Sequence, residues 1–175
     1  MTKHEIVLMS ITGEDKPGVT SSLTEILSKH NATILDIGQA NIHQSLSLGI
    51  LFRLDPDMQG NILKDLLFKS YELGVNAKFT PIKREEYDAW VSRQGKESFV
   101  ITLLGQKIEA NQLSQVTQVI AEQGLNIDTI KRLTGRIPLD NDNDSDDRSC
   151  IELSVRGTPQ NLNLIHEKFV NLSGE

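Results

Sequence analysis

The sequence predicts an α+β protein made of two copies of one βαββαβ unit, each an antiparallel sheet with helices on one face. Two observations predict this fold. Short apolar runs rich in β-formers alternate with stretches that carry apolar residues at helical spacing. The same order of elements then returns, with Gly105 closing a strand in the second half as Gly13 does in the first. A pattern that recurs at a nearly constant spacing indicates a repeated structural unit.

The first copy opens with a strand and a helix. Residues 6–11 form a short apolar run that predicts the strand. Val19, Leu23 and Ile26 recur at helical spacing, so they predict a helix over residues 19–30. Asn31-Ala32 ends this helix.

The rest of the first copy reads as a hairpin, a helix and a last strand. Residues 33–41 and 46–54 predict the two hairpin strands. Asp55-Pro56-Asp57 is a helix-start signal, and Gly74 is predicted to end the helix. Residues 75–81 then predict the fourth strand.

A polar, charged stretch follows, which predicts a division into domain 1 at 1–82, a linker at 83–97 and domain 2 at 98–175. Tyr87, Trp90 and Val91 in this linker are spaced to share one helical face, which favours a helical, packed connection.

The second copy repeats the first with two changes. It is predicted to contain strands at 99–104, near 126–130 and at 151–156, a helix at 112–123 and a last helix that opens at Thr158-Pro159. An acidic, low-complexity insertion at 139–148 lengthens its hairpin and is too polar to pack. The fourth strand of this copy is expected to be missing, which leaves one sheet edge without a neighbour.

Composition and charge exclude several classes of function. The 175 residues include 18 basic and 24 acidic side chains, for a net charge of −6, which disfavours a nucleic-acid-binding protein. The single cysteine, Cys150, cannot form an internal disulfide. No leader and no apolar run of about 18 residues is present, so we expect a cytoplasmic protein that does not bind membranes.

The loop Gly13-Glu14-Asp15-Lys16-Pro17-Gly18 is the strongest candidate for a binding site. A turn that leads from a strand into a helix leaves the first helical N–H groups, those of Val19 and Thr20, open to a small anion such as an α-carboxylate. Asp15 is placed to accept an ammonium group, and Gly18 allows a ligand to approach the backbone. The structural alternative is that Gly13, Pro17 and Gly18 only form the turn while Asp15 caps the helix.

The corresponding loop of the second copy is a weaker candidate. Lys107, Glu109 and Ala110 occupy the positions of Asp15, Pro17 and Gly18, so the acceptor and the Pro-Gly pair are lost. We interpret the second copy mainly as a scaffold. Gly105, together with Asn126 and Asp128, is a further candidate to line a site that the first loop completes, although Asp128 equally suits a turn before a strand.

The first loop within a βαββαβ unit resembles the ACT domain, a ferredoxin-like amino-acid-sensing module. The segments 101–105, 124–128, 130–136 and 152–157 are similar to the tandem ACT region of bacterial phosphoserine phosphatases. The resemblance implies a regulatory module that binds an amino acid, L-serine or glycine, and that forms a homodimer. An alternative within the same resemblance is a stand-alone two-ACT regulator that acts through protein contacts, similar to the glycine-cleavage-system repressor.

The phosphatases of that family carry their chemistry in a haloacid-dehalogenase-type domain with an Asp-x-Asp-x-Thr motif and Mg²⁺. This sequence has no such motif, so we expect no catalytic residues, no cofactor and no phosphatase activity in this chain. Residues 142–146 alternate like the start of an EF-hand loop, but position six is Asp147 and position twelve is Leu153. The histidines lack ligand spacing, so no metal site is predicted.

Overall fold

The computed structural model describes residues 5–54, 59–94, 98–105, 108–135, 149–158, 165 and 167–169. The chain divides into two compact units, and the division falls between Ser92 and Arg93. The insertion at 139–148 and the helix-start residues 55–57 lie outside the described residues, as does Pro159. In the described part of the chain, no helix is long and apolar enough to cross a membrane.

The first unit is a βαββαβ fold, as the sequence predicts. Its elements are β1 (Glu5–Glu14), α1 (Val19–Lys29), β2 (Thr33–Ile42), β3 (Ser45–Leu54), α2 (Gln59–Leu73) and β4 (Asn76–Ile82). The strands form one sheet in the order β2-β3-β1-β4, and every neighbouring pair is antiparallel. The strands β3 and β1 are therefore internal to the sheet, and β2 and β4 are its edges.

One face of this sheet is covered by α1 and α2. Side chains alternate along β3, so that Leu48, Ile50 and Phe52 are buried while Ser47 and Arg53 are exposed. The period of two in a strand and the apolar stripe of each helix place these side chains in one core. The buried helix residues of that core are Val19, Leu23, Leu27, Ile62 and Leu66.

The second unit follows a connecting helix, α3 (Arg84–Arg93). Its elements are β5 (Ser98–Gly105), α4 (Ala110–Glu122), β6 (Asn126–Arg132) and β7 (Ser149–Arg156), and residues 165 and 167–169 are helical. Within the described residues the sheet has three strands in the order β5-β7-β6. On α3, the half-buried rings of Tyr87 and Trp90 lie 5.8 Å apart.

The two units share strand register, as expected for copies of one fold. Arg53 pairs with Ile6 and Thr33 in the first sheet, and Arg156 pairs with Ser98 and Asn126 in the second. The register of each hairpin also shifts at the same place, after Ile34 in β2 and after Ile127 in β6.

The copies also end their first helices in the same way. Asn31 after α1 and Gly124 after α4 have positive φ angles of 52° and 68°. In the first copy the N–H of Ala32 donates to the carbonyl of Leu27 at 3.0 Å, and Leu125 N–H donates to the carbonyl of Ile120 at 3.2 Å in the second. A residue with a left-handed backbone conformation, followed by such an N–H to C=O hydrogen bond, satisfies the last carbonyl groups of a helix.

Several predicted boundaries were wrong. The first strand, predicted at 6–11, extends from Glu5 to Glu14 as β1. The sequence prediction began the helix of the second copy at Gln112, whereas α4 begins at Ala110. The reason is that Glu109 and Gln112 form a capping box, in which the Gln112 side chain accepts the N–H of Glu109 at 2.9 Å.

Candidate functional site

The first loop connects the end of β1 to the start of α1. Gly18 precedes the helix with φ 94° and ψ −7°, a left-handed conformation that glycine adopts at little cost. The N–H of Asp15 donates to the carbonyl of Gln44 at 2.8 Å, so the loop is tied to the turn between β2 and β3. Asp15, Lys16 and Pro17 are all exposed.

The N-terminus of α1 lacks a cap from its own side chains. In the described structure no side chain caps this helix start, although Ser21 Oγ donates to the carbonyl of Gly18 at 3.1 Å, and no acidic residue lies in the first turn. Val19 N–H makes only a long contact of 3.5 Å with the carbonyl of Lys16. The helix dipole and the first N–H groups therefore face the loop without a compensating carboxylate.

The side chain of Val19 has a separate, structural role. It is buried, with 2% of its surface exposed, and belongs to the core of the first unit. Burial of this side chain fixes the start of α1 against the sheet. Val19 can therefore offer a ligand only its backbone.

Two side chains of β2 complete the polar surroundings of the loop. Asn41 Nδ2 donates to Asp15 Oδ2 at 2.6 Å, and Thr20 Oγ1 donates to Gln39 Oε1 at 2.7 Å. Gln39 and Asn41 lie opposite the buried residues Leu48 and Leu46, so they share the helix-covered face of the sheet. The arrangement joins the loop, the helix start and an edge strand in one polar cluster.

The charge balance of the loop is nearly even. Lys16 Nζ lies 3.0 Å from Glu14 Oε2, and both side chains are more than half exposed. Such a surface pair contributes little to stability. The other carboxylate of the loop, Asp15, is held instead by the neutral amide of Asn41.

Gly13 is part of β1 and pairs with Leu46. A Cβ atom at this position would lie 2.9 Å from Val75 Cγ1 and 3.2 Å from Val75 Cα, too close for an ordinary contact. The glycine therefore serves the packing of the strand against Val75, which is the structural alternative for this residue. Pro17 lies in the exposed turn, as that alternative also predicts.

At the equivalent helix start in the second unit, residues of the chain itself form a capping box. Glu109 occupies the N-cap of α4 and takes part in its capping box. The N-cap counterpart of Gly18 is therefore Glu109 and not Ala110, the residue that the sequence repeat predicts there. Gly105 ends β5 opposite Ser149.

The remaining candidates of the second unit are engaged with β7. Asp128 Oδ2 lies 2.8 Å from an Nη of Arg156, and the two side chains are 27% and 30% exposed. Asp128 sits at the register shift of β6, and Asn126 pairs with Arg156 at the start of that strand. The ion pair gives Asp128 a structural role within its own sheet.

Sequence reasoning missed Gln39 and Asn41. Their signal was present, because they follow Ile37 at every second position and so lie on the face of β2 that the apolar residues define. For metals, the described ranges hold no group of three or more ligating side chains that could bind an ion.

Comparison with known protein families gives a consistent match. ACT-domain models match residues 5–80 and 97–139. Phosphoserine phosphatase SerB2 of Mycobacterium tuberculosis is 35% identical over 129 residues, which cover 73% of this chain and 31% of that protein. UPF0237 protein MK1213 of Methanopyrus kandleri is 30% identical over 71 residues, which cover 39% of this chain and 79% of that protein. This chain thus spans less than a third of the phosphatase that it matches.

Solved structures agree on the fold. A protein of unknown function from Galdieria sulphuraria matches with a TM-score of 0.72 at 15% identity, over 98% of this chain and 93% of that one. A structure described as a glycine cleavage system transcriptional repressor matches with a TM-score of 0.66 at 15% identity, over 98% and 91%.

Proposed function

Because this chain belongs to the ACT-domain family and contains two copies of the domain, we propose that it is a regulatory module that binds a small amino acid at the first loop. The observation that carries the proposal is the difference between the two helix starts. Glu109 and Gln112 form a capping box at the start of α4, whereas the N-cap of α1 is Gly18, which has no side chain that could cap the helix.

In this proposal the α-carboxylate of the ligand takes the place that an acidic cap occupies in the second unit. It accepts hydrogen bonds from the N–H groups of Val19 and Thr20, with a helix-dipole contribution of roughly 0.3–1 kcal/mol. Gly18 presents no Cβ, so a ligand can approach the backbone closely.

The ammonium group of the ligand is assigned to Asp15. A charge-assisted hydrogen bond to this carboxylate would contribute about 1.5–3 kcal/mol if partly buried. Asn41 donates to one oxygen of the carboxylate and so orients it. A carboxylate accepts several hydrogen bonds, which allows Asn41 and an ammonium group to bind it together.

L-serine is the proposed ligand and glycine the alternative. The proposal of serine rests on the similarity to a phosphoserine phosphatase over 73% of this chain, since serine is the product of that reaction. Thr20 and Gln39 offer hydroxyl and amide groups near the helix start, and these suit a small polar side chain.

We propose that the module belongs to a phosphoserine phosphatase-type protein of serine biosynthesis in the cytoplasm, and that it forms a homodimer. This chain itself would have no catalytic activity and no cofactor, and Mg²⁺ would belong to the catalytic domain of such a protein. Ligand binding would regulate only through a difference in affinity between two arrangements of the dimer.

The second candidate function is that of a regulator that acts through protein contacts. It is favoured by the match to the described repressor structure over nearly the whole of both chains. At 15% identity that match establishes only the fold. Release of phosphate from phosphoserine with Mg²⁺ would exclude both functions in favour of an enzyme.

Isothermal titration of L-serine into the purified chain tests the proposal, with glycine and phosphoserine as competitors. We expect saturable heat that is lost in Asp15→Ala and strongly reduced in Asp15→Asn, which keeps the shape of the side chain but not its charge. Asp36→Ala is a matched control, because Asp36 pairs opposite Leu51 on the other face of the same sheet. No heat from any of these ligands on a folded protein would overturn the sensing proposal.

A further inference from the structure

The hydroxyl of Thr20 and the amide of Gln39 form a side-chain pair beside the first loop. Thr20 is the second residue of α1, and its Oγ1 donates to Gln39 Oε1 at 2.7 Å. Gln39 lies on β2 opposite the buried residue Leu48, so its side chain projects from the helix-covered face of the sheet. The pair therefore includes a residue whose backbone N–H is assigned to the ligand carboxylate.

The second unit has a different side chain at the place of Gln39. Arg132 follows the register shift of β6 at the same spacing at which Gln39 follows the shift of β2. Its guanidinium donates to the carbonyl of Gly135 and to Ser149 Oγ, each at 3.2 Å. The hydrogen bonds that the structure describes therefore link this strand position to a helix start in the first unit and to the hairpin itself in the second.

The hydrogen bond between Thr20 and Gln39 determines which polar groups the pair can offer to a ligand. The hydroxyl hydrogen of Thr20 is used by Gln39 Oε1, so Thr20 Oγ1 can accept a further hydrogen bond but cannot donate one. The other polar group of the Gln39 amide, its NH2, only donates. An acceptor beside a donor complements a hydroxyl group, which can donate to the first and accept from the second. A methyl group does neither, and a carboxylate only accepts.

The pair also lies at a suitable distance from the acceptor that is assigned to the ammonium group. Gln39 and Asn41 are two residues apart on the same face of β2, which is about 7 Å along a strand. Asn41 holds Asp15 through its side-chain amide. One face of β2 therefore supports the ammonium acceptor at one position and the Thr20–Gln39 pair at the other, as an amino acid with a short polar side chain requires.

We propose that Gln39, together with Thr20, determines the specificity of the amino-acid site. The pair selects a ligand whose side chain carries a hydroxyl group over one whose side chain is a hydrogen or a methyl group. The role of Gln39 rests on the proposed function, because it requires an amino acid at the first loop.

Titration calorimetry with L-serine and L-alanine tests this role, because the two ligands differ only in the hydroxyl group. With two hydrogen bonds to that group, L-serine should bind the parent chain about tenfold more tightly than L-alanine. Gln39→Leu and Thr20→Val should each lower the affinity for L-serine by about 2- to 10-fold. The affinity for L-alanine should stay within about twofold of the parent value, since alanine makes neither bond.

The comparison of two ligands separates specificity from a structural role. Gln39 is exposed and Thr20 is half-buried, and a pair that only held the helix start in place would affect both ligands alike. Thr20→Ser keeps the hydroxyl group and should keep the preference for L-serine. Equal losses for the two ligands in Gln39→Leu, or equal affinities in the parent chain, would overturn the role of Gln39.

The residue of the second unit provides a change of specificity as a further test. Gln39→Arg replaces an amide by a guanidinium, which only donates and favours an anionic group. This variant should bind L-aspartate more tightly than L-serine, the reverse of the order in the parent chain. Gln115→Arg adds the same charge at an exposed position of α4 and should keep the parent order. A Gln39→Arg variant that still prefers L-serine, or a reversal in both variants, would overturn the proposal.

Failure of this proposal differs from failure of the proposed function. Equal binding of L-serine and L-alanine that is lost in Asp15→Ala would leave the amino-acid site standing and remove only its specificity for a hydroxyl group. No heat from any of these amino acids on the folded chain would overturn the proposed function and the role of Gln39 with it.

Discussion

Asn41 Nδ2 lies 2.6 Å from Asp15 Oδ2, so an edge strand and the first loop are joined through the carboxylate that the sequence proposes as a ligand acceptor. Asn41 belongs to β2, and its backbone pairs with Leu46. The orientation of Asp15 is therefore set by the sheet rather than by the loop alone.

Removal of the Asn41 amide should weaken the site without unfolding the chain. Asn41→Ala deletes a hydrogen bond that orients Asp15, which corresponds to about a 2- to 10-fold loss in serine affinity. Asn41→Asp should cost more, because a second carboxylate would repel Asp15. Titration calorimetry measures both, and Asn76→Ala on β4, an exposed asparagine of the same sheet, should bind as the parent does.

Gly18 should be intolerant of a side chain for conformational reasons. Its φ of 94° is strained for other residues, while an added Cβ would meet only Ser21 Oγ at 3.9 Å. We expect Gly18→Ala to lower the free energy of unfolding by about 1 kcal/mol. Gly60→Ala in α2, where nothing lies within 4 Å and φ is helical, should instead raise it by about 0.5–1 kcal/mol. Urea unfolding measures both changes in the free energy of unfolding. Changes of the same sign in the two variants would refute the conformational role assigned to Gly18.

Gly13 should be intolerant of a side chain for packing reasons. An added Cβ lies 2.9 Å from Val75 Cγ1, so Gly13→Ala should destabilise the first unit by about 1–3 kcal/mol. Val75→Ala removes that methyl group and should recover part of the loss in the double variant. An additive double variant would show that the two residues are not coupled.

The capping box of α4 should behave as one unit. Glu109→Ala should destabilise the second unit by about 0.5–2 kcal/mol, and Gln112→Ala should have a similar effect because the two residues cap each other. The double variant should lose less than the two single losses combined. Thermal unfolding followed by circular dichroism would reveal full additivity if the box were absent.

Lys168 connects the last described helical residues to α4. Its ammonium group hydrogen-bonds Glu122 and lowers the pKa of that carboxyl below its ordinary 4.5, and the positive charge adds to the effect. The contribution of this pair to stability is present above about pH 4.5 and declines as the pH falls through the lowered pKa. Lys168→Met should therefore raise the pKa of Glu122, as measured by a carbon-detected NMR titration. An unchanged pKa would contradict the contact.

The repeat and its order of elements could be predicted because they depend on local patterns. Apolar alternation identifies the strands, and residues such as Gly105 and Gly124 end the elements at equivalent places in the two copies. The helix start at Ala110 could also be predicted from the sequence, since the spacing of Glu109 and Gln112 is a capping signal. The prediction overlooked it because the apolar stripe begins only at Leu113.

The roles of individual site residues were harder to predict because they depend on contacts between distant segments. The neighbour of Gly13 is Val75, and Asp128 meets Arg156 across a hairpin whose register the sequence does not state. Asn41 reaches Asp15 because the first loop lies against the turn between β2 and β3, where the N–H of Asp15 donates to the carbonyl of Gln44. Chemical type and periodicity identified Gly13, Asp15 and Asp128 as candidates. Their contact partners become known only once the pairing of the strands is known.

The most direct test of the central proposal is an amide NMR titration of the chain with L-serine. We expect saturable shifts at the amides of Gly18, Val19 and Thr20 and at the side-chain amide of Asn41. The amides of Ala110 and Asn111 at the start of α4 should not move, because Glu109 caps that helix. Shifts centred on α4, or no shifts at saturating serine and glycine, would contradict an amino-acid site at the start of α1.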